Sequence, residues 1–406
     1  NSVAGNTVLG ESALDASVTG GNNTAIGKSS LTTNTSGQNN VAVGQNALAL
    51  NTTGEQNVAI GSNALDANTT ANNNTAVGRS SLGANTTGAS NTALGRKALE
   101  ANTTASNNTA VGADALILNT TGAVNTAVGD SALDANTTGS YNTSVGCNSL
   151  SANTDAIRNT AIGYAALRNN TTGSDNTAGG EQALDANTTG IRNTALGRAA
   201  LDSNTTGNRN VGIGYASLAN ATTADNNTAV GNEALTANTT GETNTAVGRR
   251  ALIANTTASG NTGIGNNALA GNTTGTSNVA LGSDTLLNST TGDNNTGIGY
   301  RALNANTTAD NNVAVGFEAL LSNTTGADNT ALGAFALDAN TTGTSSVAIG
   351  RASLTSATTG NYNVGVGHST LHNTTTASNN TAVGYLALTM NTTGADNVGV
   401  GRQSLL

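Results

Sequence analysis

Glycine recurs at 10, 27, 44, 61 and onward to 384 and 401, always 17 residues apart, in 24 copies without insertion or deletion. That period constrains the fold more than any other feature of the chain. Positions are counted from this glycine as zero. A typical copy reads Asn125-Thr-Ala-Val-Gly-Asp-Ser-Ala-Leu-Asp-Ala-Asn-Thr-Thr-Gly-Ser-Tyr141. Leu stands at +4 in all 24 copies, from Leu14 to Leu405. Position −4 is Asn in 23 copies, with Ser346 the exception. Position −3 is Thr or Val, and −2 is Ala, Gly or Ser apart from Val8. Position −1 is Val, Ile or Leu apart from Gly179, and +3 is Ala, Ser or Thr.

Seventeen residues are too few for a helical-hairpin repeat, which needs about 33. They suit one coil of a β-solenoid. The Thr-Ala-Val stretch is rich in β-branched residues and alternates as a strand does. A helix over Ala-Leu-x-Ala would last barely one turn before Asn-Thr-Thr-Gly stopped it. The expected fold is therefore all-β: a parallel β-helix or β-roll of 24 coils, one continuous solenoid over 1–406. At about 4.8 Å per coil it would extend roughly 110 Å. The chain starts and stops inside a repeat, so it is expected to be a segment of a longer fibre. Stacked coils place identical residues above one another, and the −4 Asn can bond along the stack.

Alternation puts −3 and −1 on one face of the strand and −2 and 0 on the other. The larger side chains at −3 and −1, with the Leu at +4, are expected inside. The opposite face then holds only small residues, which implies that another backbone comes close. Two arrangements satisfy that. Chains pack laterally, most simply as a homotrimer, or the small face lines a narrow, flattened coil interior, so that both faces are inside.

Composition matters next for what it excludes. Charged residues are 9% and aromatics 2%, against about a quarter charged in ordinary globular domains. A net charge of −9 and only 14 Lys and Arg argue against nucleic acid as a partner. No apolar run approaches about 18 residues, so no membrane span is expected.

The unit Asn-Thr-Ala-Val-Gly-x-x-Ala-Leu-x-x-Asn-Thr-Thr-Gly resembles the repeats of tail-fibre-like proteins of phages, algal viruses and bacteria. Its strand half, as in Asn57-Val-Ala-Ile-Gly61, is similar to the head repeats of trimeric autotransporter adhesins. The resemblance implies β-rolls that pack as trimers and serve as shafts. Self-association, lateral or end to end, is the expected partnership.

Catalytic, cofactor and metal residues are not expected. His368 and His372 fall at +1 and +5 of one copy and read as surface histidines. Cys147 reads as a tolerated substitution. Position +1 collects Tyr164, Tyr215, Tyr300, Phe317 and Tyr385 with Arg79, Arg96, Arg198, Arg249, Arg351 and Arg402. That edge could stack on sugars, or +1 is simply the roomy exposed position.

The Asn-Thr-Thr segment gives the sharpest signal. Position +7 is Asn in 18 of 23 copies, and 17 of these form N-x-[ST] acceptor triplets. They are Asn34, Asn51, Asn68, Asn85, Asn102, Asn119, Asn136, Asn170, Asn187, Asn204, Asn238, Asn255, Asn272, Asn306, Asn323, Asn340 and Asn391; Asn153 is the exception, because Asp155 replaces the second Thr. Three copies lacking Asn at +7 place it one residue earlier, at Asn220, Asn288 and Asn373. The functional expectation is a column of covalent N-glycans on an exposed edge. The structural alternative is a turn whose Asn and Thr bond the backbone. The expected function is a rigid, non-enzymatic fibre shaft, extracellular, on the cell surface or on a virion. Its rivals are a glycan-binding adhesin and an ice-binding solenoid.

Overall fold

A computed structural model describes residues 3–406. The chain forms two compact units, Asn1–Thr206 and Gly207–Leu406. The first contains twelve three-residue strands, β1 (Thr7–Leu9) through β12 (Thr194–Leu196). The second contains twelve more, β13 (Val211–Ile213) through β24 (Val398–Val400). Within each unit every strand pairs in parallel with the next, in a register of 17: Thr24 faces Val41, Ala25 faces Ala42, Ile26 faces Val43. In the second unit Thr228 faces Thr245 by the same rule. Each unit is thus a β-solenoid with one coil per repeat. At about 4.8 Å per strand, twelve coils advance about 53 Å.

The interior is narrow. It is lined by Ala at −2, Ala or Ser at +3 and Leu at +4, as with Ala59, Ala64 and Leu65, all fully buried. Two columns of Asn complete it, at −4 and +7, as with Asn57 and Asn68. The Leu column was legible in advance. The orientation of the strand was not: −3 and −1 point outward, with Ile60, Leu94 and Ile162 at 40%, 47% and 51% exposure. The small residues at −2 line the inside. The lateral packing of small faces expected above is therefore corrected.

The close backbone that demands small residues belongs to the next coil of the same chain. A Cβ on Gly27 would lie 2.6 Å from the carbonyl oxygen of Gly44. The repeat glycines also share φ between 122° and 143°, a region closed to residues with a Cβ. The φ constraint acts at every repeat glycine and the close approach wherever a following coil stacks, Gly401 having only the first, which is why position 0 never varies. The +4 leucines have φ of 48–56°, left-handed in every copy. A Leu held there costs on the order of 1 kcal/mol of backbone strain. The turn after the glycine accepts that strain because it aims the one large apolar side chain of the coil inward.

Asn at −4 ties successive coils together. Asn40 donates its backbone N–H to Asn23 Oδ1 at 3.0 Å and its Nδ2 to the Gly54 carbonyl at 2.9 Å. The expected ladder along the stack exists, with the backbone amide as its main donor. No helix among the described residues is long and apolar enough to cross a membrane.

Candidate functional site

The sequence pointed to the Asn-Thr-Thr segment, and there the structure overturns the exposed column. Asn34, Asn51, Asn68, Asn85, Asn102, Asn119, Asn136, Asn170, Asn187, Asn204, Asn238, Asn255, Asn272, Asn306, Asn323 and Asn340 are all buried, at 0–1% exposure. Asn391, in the last complete +7 turn, is half-buried. The physical reason lies in the amide. Asn51 Nδ2 donates to Asn34 Oδ1 at 2.9 Å and to the Gly54 carbonyl at 3.0 Å. Asn68 Nδ2 repeats the pattern one coil on, to Asn51 Oδ1 at 2.8 Å. Where the column is unbroken both N–H bonds of the amide are thereby used inside the coil, while Asn34, Asn238 and Asn306, each following a copy without Asn at +7, keep the bond to the +10 carbonyl; a sugar on these buried nitrogens is incompatible with the folded stack. The carbonyl at +10 accepts from both Asn columns, so the two ladders meet on one oxygen.

The apparent register compensation also has a different meaning. Asn220 and Asn288 are exposed and Asn373 is half-exposed, while the residues that follow them, Ala221, Ser289 and Thr374, occupy the buried +7 position. Moving Asn by one residue turned its side chain out of the coil. One signal could have revealed the burial: every replacement at +7 is Ser, Ala or Thr, never a charge. The exposed position +1 takes Arg, Asp and Tyr freely.

The two Thr residues differ. Thr52 Oγ1 donates to the Thr69 carbonyl of the next coil at 3.0 Å, a bond repeated along the column. Thr53 is exposed, as are its counterparts at +9.

At +1 the aromatics stack on one another along the axis. Tyr300 and Phe317 have ring centroids 5.5 Å apart, and Phe335, at +2, meets Phe317 edge-on at 5.3 Å. His368 stacks on Tyr385 at 5.6 Å, with Arg402 over the other ring at 5.8 Å. Arg351 Nη1 lies 3.4 Å from His368 Nε2. In these two clusters one ring packs on the next, while Tyr164 and Tyr215, also at +1, are 52% and 46% exposed. His372 departs from expectation: it is half-buried, and its Nδ1 is enclosed without a partner. Cys147 is exposed.

Position +5 gathers half-buried carboxylates. Burial pushes Asp66, Asp134, Asp185, Asp202 and Asp338 above the usual Asp range. Asp185 Oδ2 accepts from Arg168 at 2.7 Å, but its Oδ1 is buried without a partner. Asp175 moves the other way, because Arg158 Nε donates to it at 2.6 Å. The cross-coil ion pair Lys28–Glu11 at 3.1 Å is exposed and worth about 0–1 kcal/mol, and Arg301–Glu318 at 3.0 Å is half-buried. Among the described residues no three His, Cys, Asp or Glu side chains converge as a metal site.

The surface that sequence reasoning missed is the outer strand face. Thr or Val at −3 and Val, Ile or Leu at −1 form two parallel rows on each unit, and no charged residue stands at either position in any copy. Compared with known proteins, the chain matches no protein-family model and no curated protein.

Proposed function

We propose that the chain is a structural shaft: a rigid, non-enzymatic spacer of the kind that tail-fibre-like repeats build, working outside the cell or on a virion. The carrying observation is the unbroken 17-residue period over 24 copies. Binding and catalytic solenoids place their working residues on insertions, and this chain has none between its copies.

The shaft associates with further copies of itself through the outer −3/−1 face. The −1 side chains are exposed in half of the copies and partly exposed in the others, Gly179 apart, which over twelve coils amounts to an apolar stripe of roughly several hundred Å². Monomeric proteins rarely leave such a stripe open, and stable partners cover about 800 Å² each. Replacing Ile60, Leu94 and Ile162 by Lys tests this by sedimentation. The expected result is dissociation to single chains with the β signal intact. An unchanged mass, or a wild-type chain that is monomeric at all concentrations, refutes the seam.

One observation favours a second reading. Thr at −3, found in 16 of 24 copies, faces outward, so a flat array of Thr and aliphatic rows is presented to water. Thermal hysteresis from a monomeric chain would assign that face to ice instead. A glycan-binding edge at +1 would show as glycan-array signal lost on Arg351→Ala and Arg402→Ala.

A further inference from the structure

N-linked modification of this fold requires an Asn amide and, two residues on, a hydroxyl. The structure sorts the triplets by whether both groups are free. At +7 the amide is consumed inside the coil, as shown above, and Asn142 is buried likewise. At +6, Asn169 and Asn288 are exposed, but the hydroxyl of their triplet is engaged: Thr171 donates to the Thr188 carbonyl at 3.0 Å and Thr290 to the Thr307 carbonyl at 3.1 Å. A third set lies at −5, just before the buried Asn of each strand: Asn22, Asn73, Asn107, Asn226, Asn294 and Asn379, followed two residues later by Thr24, Thr75, Thr109, Thr228, Thr296 and Thr381.

In this third set the Asn is exposed, and the Thr at −3 is half-exposed on the outer face. With the Asn side chain exposed and the Thr side chain partly so, amide and hydroxyl both reach solvent. The Asn has φ of 58–62°, a left-handed conformation that Asn tolerates well. That backbone demand explains the Asn, and it leaves the side-chain amide with nothing to hold in the coil.

We propose that the N-glycan acceptors of the folded chain are Asn22, Asn73, Asn107, Asn226, Asn294 and Asn379, and not the +7 column. In the transfer, the amide nitrogen forms a bond to the anomeric carbon of a lipid-linked oligosaccharide. The bond from that carbon to the diphosphate breaks, and the amide proton passes to a base on the transferase. These acceptors border the outer face, so sugars there would also oppose self-association. The assignment of acceptors stands independently of that reading.

The test uses full chain folded in a host without N-glycosylation, then given an oligosaccharyltransferase and a lipid-linked oligosaccharide. Peptide mass spectrometry maps occupancy on folded chain and on chain denatured beforehand. Folded chain should carry sugar at the six residues at least about tenfold more than at Asn51, Asn119 and Asn187, because buried sites react only through local opening. Denatured chain should be modified at both sets. Thr75→Ala and Thr228→Ala should erase Asn73 and Asn226 alone. The proposal is overturned if folded chain takes sugar equally at +7, if the six stay empty when folded yet fill when denatured, or if neither chain is modified.

Discussion

Replacing Ser289 by Asn should stabilise the chain. The +7 ladder is interrupted there: Asn272 Oδ1 is buried without a donor, and Ser289 Oγ is buried without a partner. One coil further on, Asn306 Nδ2 keeps its bond to the Ala309 carbonyl at 3.1 Å. In an intact stretch the corresponding nitrogen also reaches the previous Asn, as Asn323 does with Asn306 Oδ1 at 3.0 Å. An Asn at 289 can donate to Asn272 Oδ1 and to the Gly292 carbonyl, and accept from Asn306. Each bond contributes about 0.5–1.5 kcal/mol. Ordering the longer side chain costs up to about 1 kcal/mol. The net gain is about 1–3 kcal/mol, or roughly 5- to 150-fold in a local opening equilibrium. Damage and repair stay local in a stacked array, so hydrogen exchange is the assay. Protection over residues 286–292 should rise by that factor. Ser289→Ala should leave protection unchanged or slightly higher, since it removes only an unpaired hydroxyl. Unchanged or lower exchange protection in Ser289→Asn would refute the view that the +7 amides hold the coils together.

Leu133→Glu buries an unpaired carboxylate in the one large apolar column and should cost several kcal/mol, seen as lost protection in its own and adjacent coils. Ala127→Gln should unfold its coil because −2 is internal; a folded chain of altered mass by sedimentation would contradict that placement. Acidification should stabilise rather than destabilise. Asp66, Asp134, Asp185, Asp202 and Asp338 have carboxyls raised in the fold, so the folded state binds more protons than the unfolded one just above the ordinary Asp range, and stability rises as pH falls from 7 toward about 4.5. Melting midpoints at the two pH values check this, and Asp134→Asn with Asp202→Asn should flatten the dependence.

The period of 17 was enough to determine a parallel β-solenoid. No other element accommodates an unvarying Gly and an unvarying Leu four residues later in so short a unit. The Leu at +4 announced its burial because it alone is large, apolar and constant. Which strand face turns inward was decided only by the tertiary structure. Alternation defines two faces without labelling them, and the usual preference for bulk inside fails when the coil is too narrow. There Leu65 and Ala59 fill the space, while Ile60 is left outside. Gly27 and its copies did report a close backbone, but a sequence cannot say whose; the answer was the next coil of the same chain. The fate of the +7 amides was equally hidden. Asn-Thr-Thr reads alike as an acceptor or as a turn. What separates the two is a partner 17 residues away, Asn34 for Asn51, brought within 2.9 Å only when the coils stack.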